Sequence, residues 1–339
     1  MLRLAINGYG RIGRCVLRAL HERPARERMA VVAINEPAAD LASVAHLTRF
    51  DSTHGPFPGP VETAGDQMLV AGQGIAVSHA PSARETDWSR HDLDLLLDCS
   101  GSFSGRSEAE RHLAAGAPRL LVSHPMADAS DVDLTVVLGV NGDFLSSSHR
   151  LISNASCSTN CLLPVLRIVQ SEWGVEAASV TTIHSVMNDQ PLLDGYHASD
   201  LRRTRSALTS MVPVATGLAR GIQRFMPELD GRIHAQHVRV PTLNVSALDV
   251  NLQLRDATDA ESLNQCLRAA AEGPLAGVMG YSEGAHASCE FNHDPRSVIV
   301  DGSQTQVSGH LAHLMLWFDN EWGFANRMLD VAERWLDAQ

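Results

Sequence analysis

The feature that most constrains the fold is a glycine-rich turn placed directly after an apolar segment at the start of the chain. Leu2–Ile6 has the length and composition of a buried strand, and it runs into a G-x-G-x-x-G pattern at the opening of a helical segment. In this context the glycines allow a tight turn, close approach of the backbone to a pyrophosphate, and close packing of helix on strand. The helix N-terminus then faces the phosphates, so the pattern predicts a dinucleotide site. The turn consists of Gly8, Gly10, Arg11, Ile12 and Gly13.

The first 156 residues alternate short apolar runs with helical stretches, which is the pattern of parallel βαβ units. Strands are predicted at Leu2–Ile6, Val31–Ile34, Leu95–Asp98 and Arg119–Ser123, helices at Arg11–Glu22 and Glu108–Ala115, and turn-rich or antiparallel insertions at Phe50–Pro60 and Asp66–Ser78. The sequence therefore predicts an α/β Rossmann NAD-binding domain over residues 1–156. We expect a C-terminal helix within residues 320–339 to complete it.

An acidic residue at the end of the second predicted strand indicates which dinucleotide is bound. Glu36 can accept hydrogen bonds from the adenosine ribose hydroxyls and would repel a 2′-phosphate, which favours NAD over NADP. A simpler role for Glu36 is to cap the loop before Pro37. Ser100, Gly101 and Ser123 follow later strands at the carboxyl ends, where ligands of such sheets bind, and are predicted to line the cofactor site. Ordinary strand-to-helix turns have the same composition.

After residue 156 the strands come in runs and the helices are segregated, which predicts an α+β catalytic domain with a mostly antiparallel sheet over residues 157–319. The predicted strands are Ala178–His184, Gln236–Pro241, Ser246–Gln253, Ser297–Asp301 and Leu314–Phe318. Helices are predicted near Ser158–Trp173, Leu208–Gln223, Asp259–Glu272 and Asn326–Asp337.

A cysteine in a polar setting opens this second region. Cys157 lies within Ser153–Cys161, between Ser156 and Ser158 and before a predicted helix. A thiol at a helix N-terminus meets the positive end of the dipole and free N–H groups, which favour the thiolate. A lone cysteine is more often an inert buried hydrophobe, and a lone strand histidine a satisfied core residue. However, Cys157 and His184 together with a dinucleotide predict thiolate attack on an aldehyde, hydride transfer and a thioester, with His184 accepting the proton.

The remaining composition excludes several classes of function. A net charge of −12 over 339 residues argues against general binding to nucleic acids or anionic membranes. The six cysteines show no CxxC pair, and the 16 histidines show no HExxH or other metal-ligand spacing. No signal-peptide pattern opens the chain, and no apolar run approaches the length of a membrane span. We therefore expect a reduced, cytoplasmic enzyme without a metal ion.

Five motifs, in order along nearly the whole chain, resemble those of the glyceraldehyde-3-phosphate dehydrogenase superfamily. They are Gly8–Gly13, Ser153–Cys161, Thr182–His184, Arg239–Thr242 and Trp317–Gly323. The resemblance implies a two-domain subunit, usually in a homotetramer, that binds NAD and uses Cys157 as nucleophile and His184 as base. It further implies that Asn320 holds the nicotinamide amide. The substrate and phosphate-binding residues that it implies are Ser156, Ser158, Arg203, Thr216, Gly217 and Arg239.

The chain departs from the glycolytic members just after the catalytic histidine. Where those carry two threonines and a lysine, it has Met187, Asp189 and Pro191, so a hydroxyl donor is lost and a carboxylate would repel phosphate. The segments His184–Gln190 and Asp200–Arg205 are instead similar to the erythrose-4-phosphate dehydrogenase branch. That resemblance implies oxidation of D-erythrose 4-phosphate to 4-phosphoerythronate with NAD, hydrolytic release of the acid, and a place in pyridoxal phosphate synthesis.

Two alternatives stay open at this point. The first is the phosphorylating glyceraldehyde-3-phosphate dehydrogenase of glycolysis, and the second is a non-catalytic protein that binds NAD. Retention of Cys157, His184 and Asn320 favours an enzyme over a binding protein.

Overall fold

The computed structural model describes residues 1–338, leaving aside the side chain of Ala25. The chain divides into two compact units. The first comprises Met1–Ser156 and the chain from Ala325 onward, and the second comprises Cys157–Phe324.

The first unit is built on a nine-stranded sheet. Its strands are β1 Leu2–Asn7, β2 Met29–Asn35, β5 Val61–Ala64, β6 Gln67–Val70, β7 Gln73–Ser78, β8 Leu95–Asp98, β9 Leu120–Val122, β10 Leu134–Thr135 and β11 Leu151–Ser153, and a separate hairpin pairs β3 Phe50–Asp51 with β4 Gly55–Pro56. The order is β10-β11-β9-β8-β1-β2-β7-β6-β5. All pairs from β10 to β7 are parallel, and β6 and β5 add an antiparallel edge.

The central strands are apolar on both faces because helices cover the sheet, as parallel sheets require. Leu4, Ala5 and Ile6 of β1 are completely buried. The α-helices within Met1–Ser156 are α1 Arg11–Glu22, α2 Leu41–Arg49 and α3 Arg106–Ala114, and the unit also contains most of the C-terminal helix. The predicted strands and α1 are confirmed, and the predicted insertions prove to be the β3–β4 hairpin and the antiparallel edge.

The second unit contains a seven-stranded sheet. Its strands are β12 Val175–His184, β13 Val212–Val214, β14 Ile233–Arg239, β15 Ser246–Leu254, β16 Met279–Ser282, β17 Val298–Ser308 and β18 Leu311–Phe318. The order is β13-β14-β12-β15-β18-β17-β16. Four of the six pairs are antiparallel, and only β12 with β14 and β16 with β17 are parallel. The prediction of a mostly antiparallel sheet is confirmed.

The α-helices of the second unit are α4 Cys157–Trp173, α5 Leu218–Gln223 and α6 Ala260–Glu272. The last helix, α7 Trp322–Asp337, begins in the second unit and continues in the first. One predicted element is wrong: the stretch predicted as a helix over Leu208–Gln223 is helical only in α5. Its middle, Val212–Val214, pairs with β14 as a strand. The physical reason is visible in the sequence, because Pro213 lacks an N–H and is flanked by two β-branched valines.

The fold class is therefore a Rossmann-type α/β unit together with an α+β unit, as the sequence predicted. Within residues 1–338, no helix is both long and apolar enough to cross a membrane.

Candidate active site

The glycine turn lies where the strand order of the first sheet reverses, between β1 and β8, which is the usual ligand crevice of such sheets. Gly8 has φ +83°, and a Cβ there would lie 2.5 Å from the Cα of Ser100. A Cβ on Gly13 would lie 2.4 Å from the carbonyl oxygen of Gly8, whereas the space around Gly10 is open. Gly8 and Gly13 are thus needed for close packing, and the open space at Gly10 beside the first turn of α1 is compatible with a bound pyrophosphate.

A cleft of about 300 Å³ adjoins this turn. Its lining includes Gly8, Gly10, Glu36 and Ser100, which the sequence predicted for the cofactor site. Glu36 accepts hydrogen bonds from the backbone N–H of Tyr9 at 2.8 Å and of Ala38 at 2.9 Å. The carboxylate therefore caps its own loop and is fixed against the glycine turn, and its role toward the adenosine ribose stays a prediction.

Three polar residues that sequence reasoning missed tie the carboxyl ends of the central strands together. Asn35 Nδ2 donates to Asn7 Oδ1 at 2.9 Å, and Asn7 Nδ2 donates to Asp98 Oδ2 at 2.6 Å. All three are buried, and Asp98 also accepts from the hydroxyl of Ser100 at 2.9 Å. The available signal was a polar residue closing each of three neighbouring apolar strands. This network holds the rim of the cleft in place.

Four other predicted cofactor residues, Arg11, Ile12, Gly101 and Ser123, are not among the residues that line the cleft. Arg11 and Ile12 are the first residues of α1. The side chain of Arg11 forms an ion pair with Asp51. Gly101 has φ +61° in the turn after β8, and the N–H of Ser123 donates to the carbonyl of Asp98 at 2.9 Å.

The second unit brings the predicted nucleophile and base together. Cys157 is the first residue of α4 and His184 the last of β12. The Sγ of Cys157 lies 3.9 Å from Nε2 of His184, and Nδ1 of His184 lies 2.8 Å from the carbonyl oxygen of Ser185. Because a carbonyl can only accept, Nδ1 carries the proton and Nε2 faces the sulfur with its lone pair. The geometry suits a general base acting on the thiol.

The charge state of this pair differs from the sequence-based expectation. Burial raises the pKa of the Cys157 thiol to about 11, although the backbone N–H groups of Ser158 and of Cys157 itself act in the opposite direction. Burial also lowers the pKa of His184, which is only partly offset by the bond to the Ser185 carbonyl. Burial therefore opposes the thiolate that the helix N-terminus favours, and the shifts of both pKa values favour a neutral thiol beside a neutral imidazole in the resting pair.

A second histidine, which the sequence analysis did not single out, packs against the base. The rings of His184 and His237 stack with centroids 4.9 Å apart and an interplanar angle of 22°. Burial first, and then the neighbouring ring and Arg239, lower the pKa of His237 to about 3. His237 is thus neutral at neutral pH. Only the register of β14 beside β12, which the sequence does not specify, reveals this neighbour.

Two predicted phosphate-binding arginines converge on one carboxylate. Arg239 is buried and in register with His184 across β14 and β12. Its Nη1 and Nη2 donate to Oδ1 and Oδ2 of Asp189 at 2.6 and 3.1 Å, and Nη1 of Arg203 donates to the same Oδ2 at 2.9 Å. Nη2 of Arg239 also lies 3.5 Å from the thioether of Met187. Partial burial disfavours the charged form of Asp189, but the two arginines outweigh it and lower its pKa.

Asn320 is anchored at the strand end beside the base. Its Oδ1 accepts hydrogen bonds from the hydroxyls of Ser185 at 3.0 Å and Ser246 at 2.8 Å. The Ser246 hydroxyl in turn accepts from the backbone N–H of Ser185 at 3.1 Å. Since both protein bonds use the oxygen, the amide NH₂ of Asn320 remains as a donor for a ligand.

The remaining predicted substrate residues lie on and near α4. Ser156 directly precedes this helix, and Ser158 is its second residue. Thr216 Oγ1 accepts from the N–H of Leu218 at 3.2 Å, and Gly217 is the N-cap of α5, with open space where a side chain would be. Helix α5 packs against α4. The phosphate-binding role of Thr216 and Gly217 stays a prediction.

Two family models match the chain. The model described as the NAD binding domain of glyceraldehyde 3-phosphate dehydrogenase matches residues 2–106. The model described as the C-terminal domain of glyceraldehyde 3-phosphate dehydrogenase matches residues 156–320. The cofactor of the first unit is therefore NAD, as Glu36 and the glycine turn predicted.

Proposed function

This chain belongs to the glyceraldehyde 3-phosphate dehydrogenase family, and we propose that within it the enzyme oxidises D-erythrose 4-phosphate to 4-phosphoerythronate through a thioester on Cys157. The family places it among NAD-dependent oxidoreductases that act on an aldehyde. The observation that carries the finer proposal is the segment after His184, where Asp189 and Met187 contact Arg239. Threonines and a lysine occupy the corresponding positions in the glycolytic members that it resembles.

The first step follows from the resting geometry. Nε2 of His184 takes the thiol proton while the sulfur of Cys157 bonds to the aldehyde carbon, which gives a thiohemiacetal. The imidazolium formed then returns a proton to the developing alkoxide. Because Nδ1 is held by the Ser185 carbonyl, the ring does not have to reorient between the two transfers.

Oxidation of the thiohemiacetal gives the thioester. Bound NAD supplies the hydride acceptor for this step, and the amide NH₂ of Asn320 is the group that would orient its carboxamide. His184 accepts the hydroxyl proton as the carbon is oxidised. The imidazolium releases this proton to solvent, and the neutral imidazole then deprotonates a water molecule that adds to the thioester carbonyl. The bond between carbon and sulfur breaks, and the Cys157 sulfur takes the proton back from the imidazolium as the acid leaves.

The proposed substrate rests on the changed phosphate-binding segment. Met187 offers a thioether where a hydroxyl donor is expected, and Asp189 brings a negative charge. A phosphate bound by Arg239 must therefore take a shifted position, which a substrate longer by one carbon can reach. Erythrose 4-phosphate satisfies this better than glyceraldehyde 3-phosphate.

The test is initial-rate NADH formation with both aldehydes on one enzyme preparation, with and without inorganic phosphate. We expect a higher kcat/KM for erythrose 4-phosphate and sustained turnover without phosphate. Strict dependence on phosphate, with glyceraldehyde 3-phosphate as the better substrate, would identify the glycolytic enzyme instead. Loss of NAD reduction on titration of one thiol per chain would support the enzyme, whereas absence of NAD reduction with either aldehyde would favour the non-catalytic alternative.

The homotetramer expected for this family is supported by an apolar surface on the segment between β12 and β13. Its exposed large apolar side chains are Met187, Leu192, Leu193, Tyr196, Leu201, Leu208 and Met211. So many exposed large apolar side chains on one segment favour a protein interface. Sedimentation of the purified enzyme at a mass of one chain, 36.6 kDa, would contradict the proposal.

A further inference from the structure

Asp189 does more than stand where the glycolytic members have a residue that suits phosphate, because its carboxylate itself binds two arginines. Both terminal nitrogens of Arg239 and one of Arg203 are bound to this single carboxylate. The pairing with Arg239 is bidentate, which is the geometry that arginine also uses for phosphate. The side chain of Arg239 is only 5% exposed, so its charge requires a partner in place.

We propose that Asp189 is a specificity-determining residue that occupies the two arginines as an internal anion and competes with phosphate for them. The inference rests on the proposed function, whose substrate-binding arginines it concerns. An incoming phosphate meets the carboxylate at the same three nitrogens, so it must displace Asp189 or bind beside a like charge. Either route weakens phosphate binding relative to a site in which the guanidinium groups of Arg203 and Arg239 have no carboxylate partner.

The competition has a consequence for the thioester. With water, the bond between sulfur and acyl carbon breaks, oxygen bonds to the carbon, and the products are a carboxylic acid and the Cys157 thiol. With inorganic phosphate the same bond breaks, and the products are an acyl phosphate and the thiol. Neither reaction needs a further oxidant. Whether the thioester reacts with water or with phosphate therefore depends on whether phosphate is held near the acyl group. Asp189 lowers phosphate occupancy and directs the thioester to water.

Asp189→Asn is the direct test, because it keeps the shape and an acceptor oxygen but removes the charge. The matched control is Asp194→Asn, since Asp194 lies in the same segment and pairs with an exposed arginine, Arg205, at 2.7 Å. Binding of inorganic phosphate to the NAD-loaded enzyme is measured by calorimetry without aldehyde. We expect D189N to bind phosphate about tenfold more tightly than wild type, the usual scale of one charged hydrogen-bonding competitor, and D194N to match wild type.

The second measurement is the product ratio from one aldehyde at fixed phosphate concentration. D189N should raise the share of acyl phosphate over acid, and D194N should not. Asp189→Thr provides a second variant should D189N fold poorly, and phosphate should raise its Tm more than that of wild type.

Unchanged phosphate affinity in both Asp189 variants, or an equal gain in D194N, would overturn the inference. Because affinity is measured without aldehyde, this failure is distinct from that of the proposed function. A tenfold gain in an enzyme that prefers glyceraldehyde 3-phosphate would uphold the role of Asp189 and refute only the substrate.

Discussion

Replacement of His184 by asparagine tests the neutral thiol and imidazole pair most directly. Asparagine keeps a polar side chain of similar reach but cannot act as a base near neutral pH. The sulfur of Cys157 lies 3.9 Å from Nε2 of His184, which is the base nitrogen that the substitution removes. The variant should therefore retain only the thiolate that ionises unaided.

The size of the loss follows from the pKa of the thiol. With a pKa of about 11, roughly one thiol in a thousand is ionised at pH 8, and the thiolate is the nucleophile. The variant should be slower by about 10³-fold at pH 8, within the ~10²–10⁴-fold range usual for a positioned base. The thiolate fraction rises tenfold for each pH unit, so the deficit should shrink to about tenfold at pH 10.

The assay is the pre-steady-state burst of NADH between pH 7 and pH 10, run beside iodoacetamide alkylation of the apoenzyme. Alkylation of wild type and of H184N should both rise steeply across this range, because a neutral imidazole has no charge whose removal would shift the thiol pKa. A plateau of wild-type alkylation below pH 7 would reveal a thiolate and imidazolium ion pair and refute the reasoning. A burst rate in H184N that is independent of pH would do the same.

Three further outcomes follow from the two sites. Cys157→Ala should abolish turnover while NAD affinity, measured by fluorescence titration, stays within about twofold, since the cleft lies in the other unit; loss of folding would indicate a structural cysteine. Glu36→Gln should raise the ratio of NADP to NAD in kcat/KM by removing charge repulsion, and equal use of both cofactors by wild type would contradict this role. Gly8→Ala should impair NAD binding and lower Tm, because its Cβ would lie 2.5 Å from Ser100 at φ +83°; an unchanged Tm would show that the turn tolerates a side chain.

Local sequence patterns were sufficient to predict elements that are stabilised by interactions between residues close together in the sequence. The β1 strand, the turn at Gly8 and helix α1 follow from apolar periodicity and glycine spacing within about twenty residues. The helix predicted over Leu208–Gln223 failed for the opposite reason, because Val212–Val214 is stabilised as a strand by its pairing with β14. Helical spacing of apolar residues does not reveal such a distant partner.

The sequence by itself was sufficient for the fold class and the cofactor NAD, and it predicts Cys157 and His184 as nucleophile and base, because each depends on residue type and short-range spacing. Only the tertiary structure decided the charges at those residues. Desolvation around Cys157 depends on everything packed over the sulfur, and it outweighs the helix dipole that the sequence could suggest. Likewise, the sequence predicts only that the charge of Asp189 repels phosphate. The fold brings this residue to Arg203 and Arg239, and its carboxylate binds both arginines. Electrostatic energies depend on distance and burial in three dimensions, and sequence spacing fixes neither.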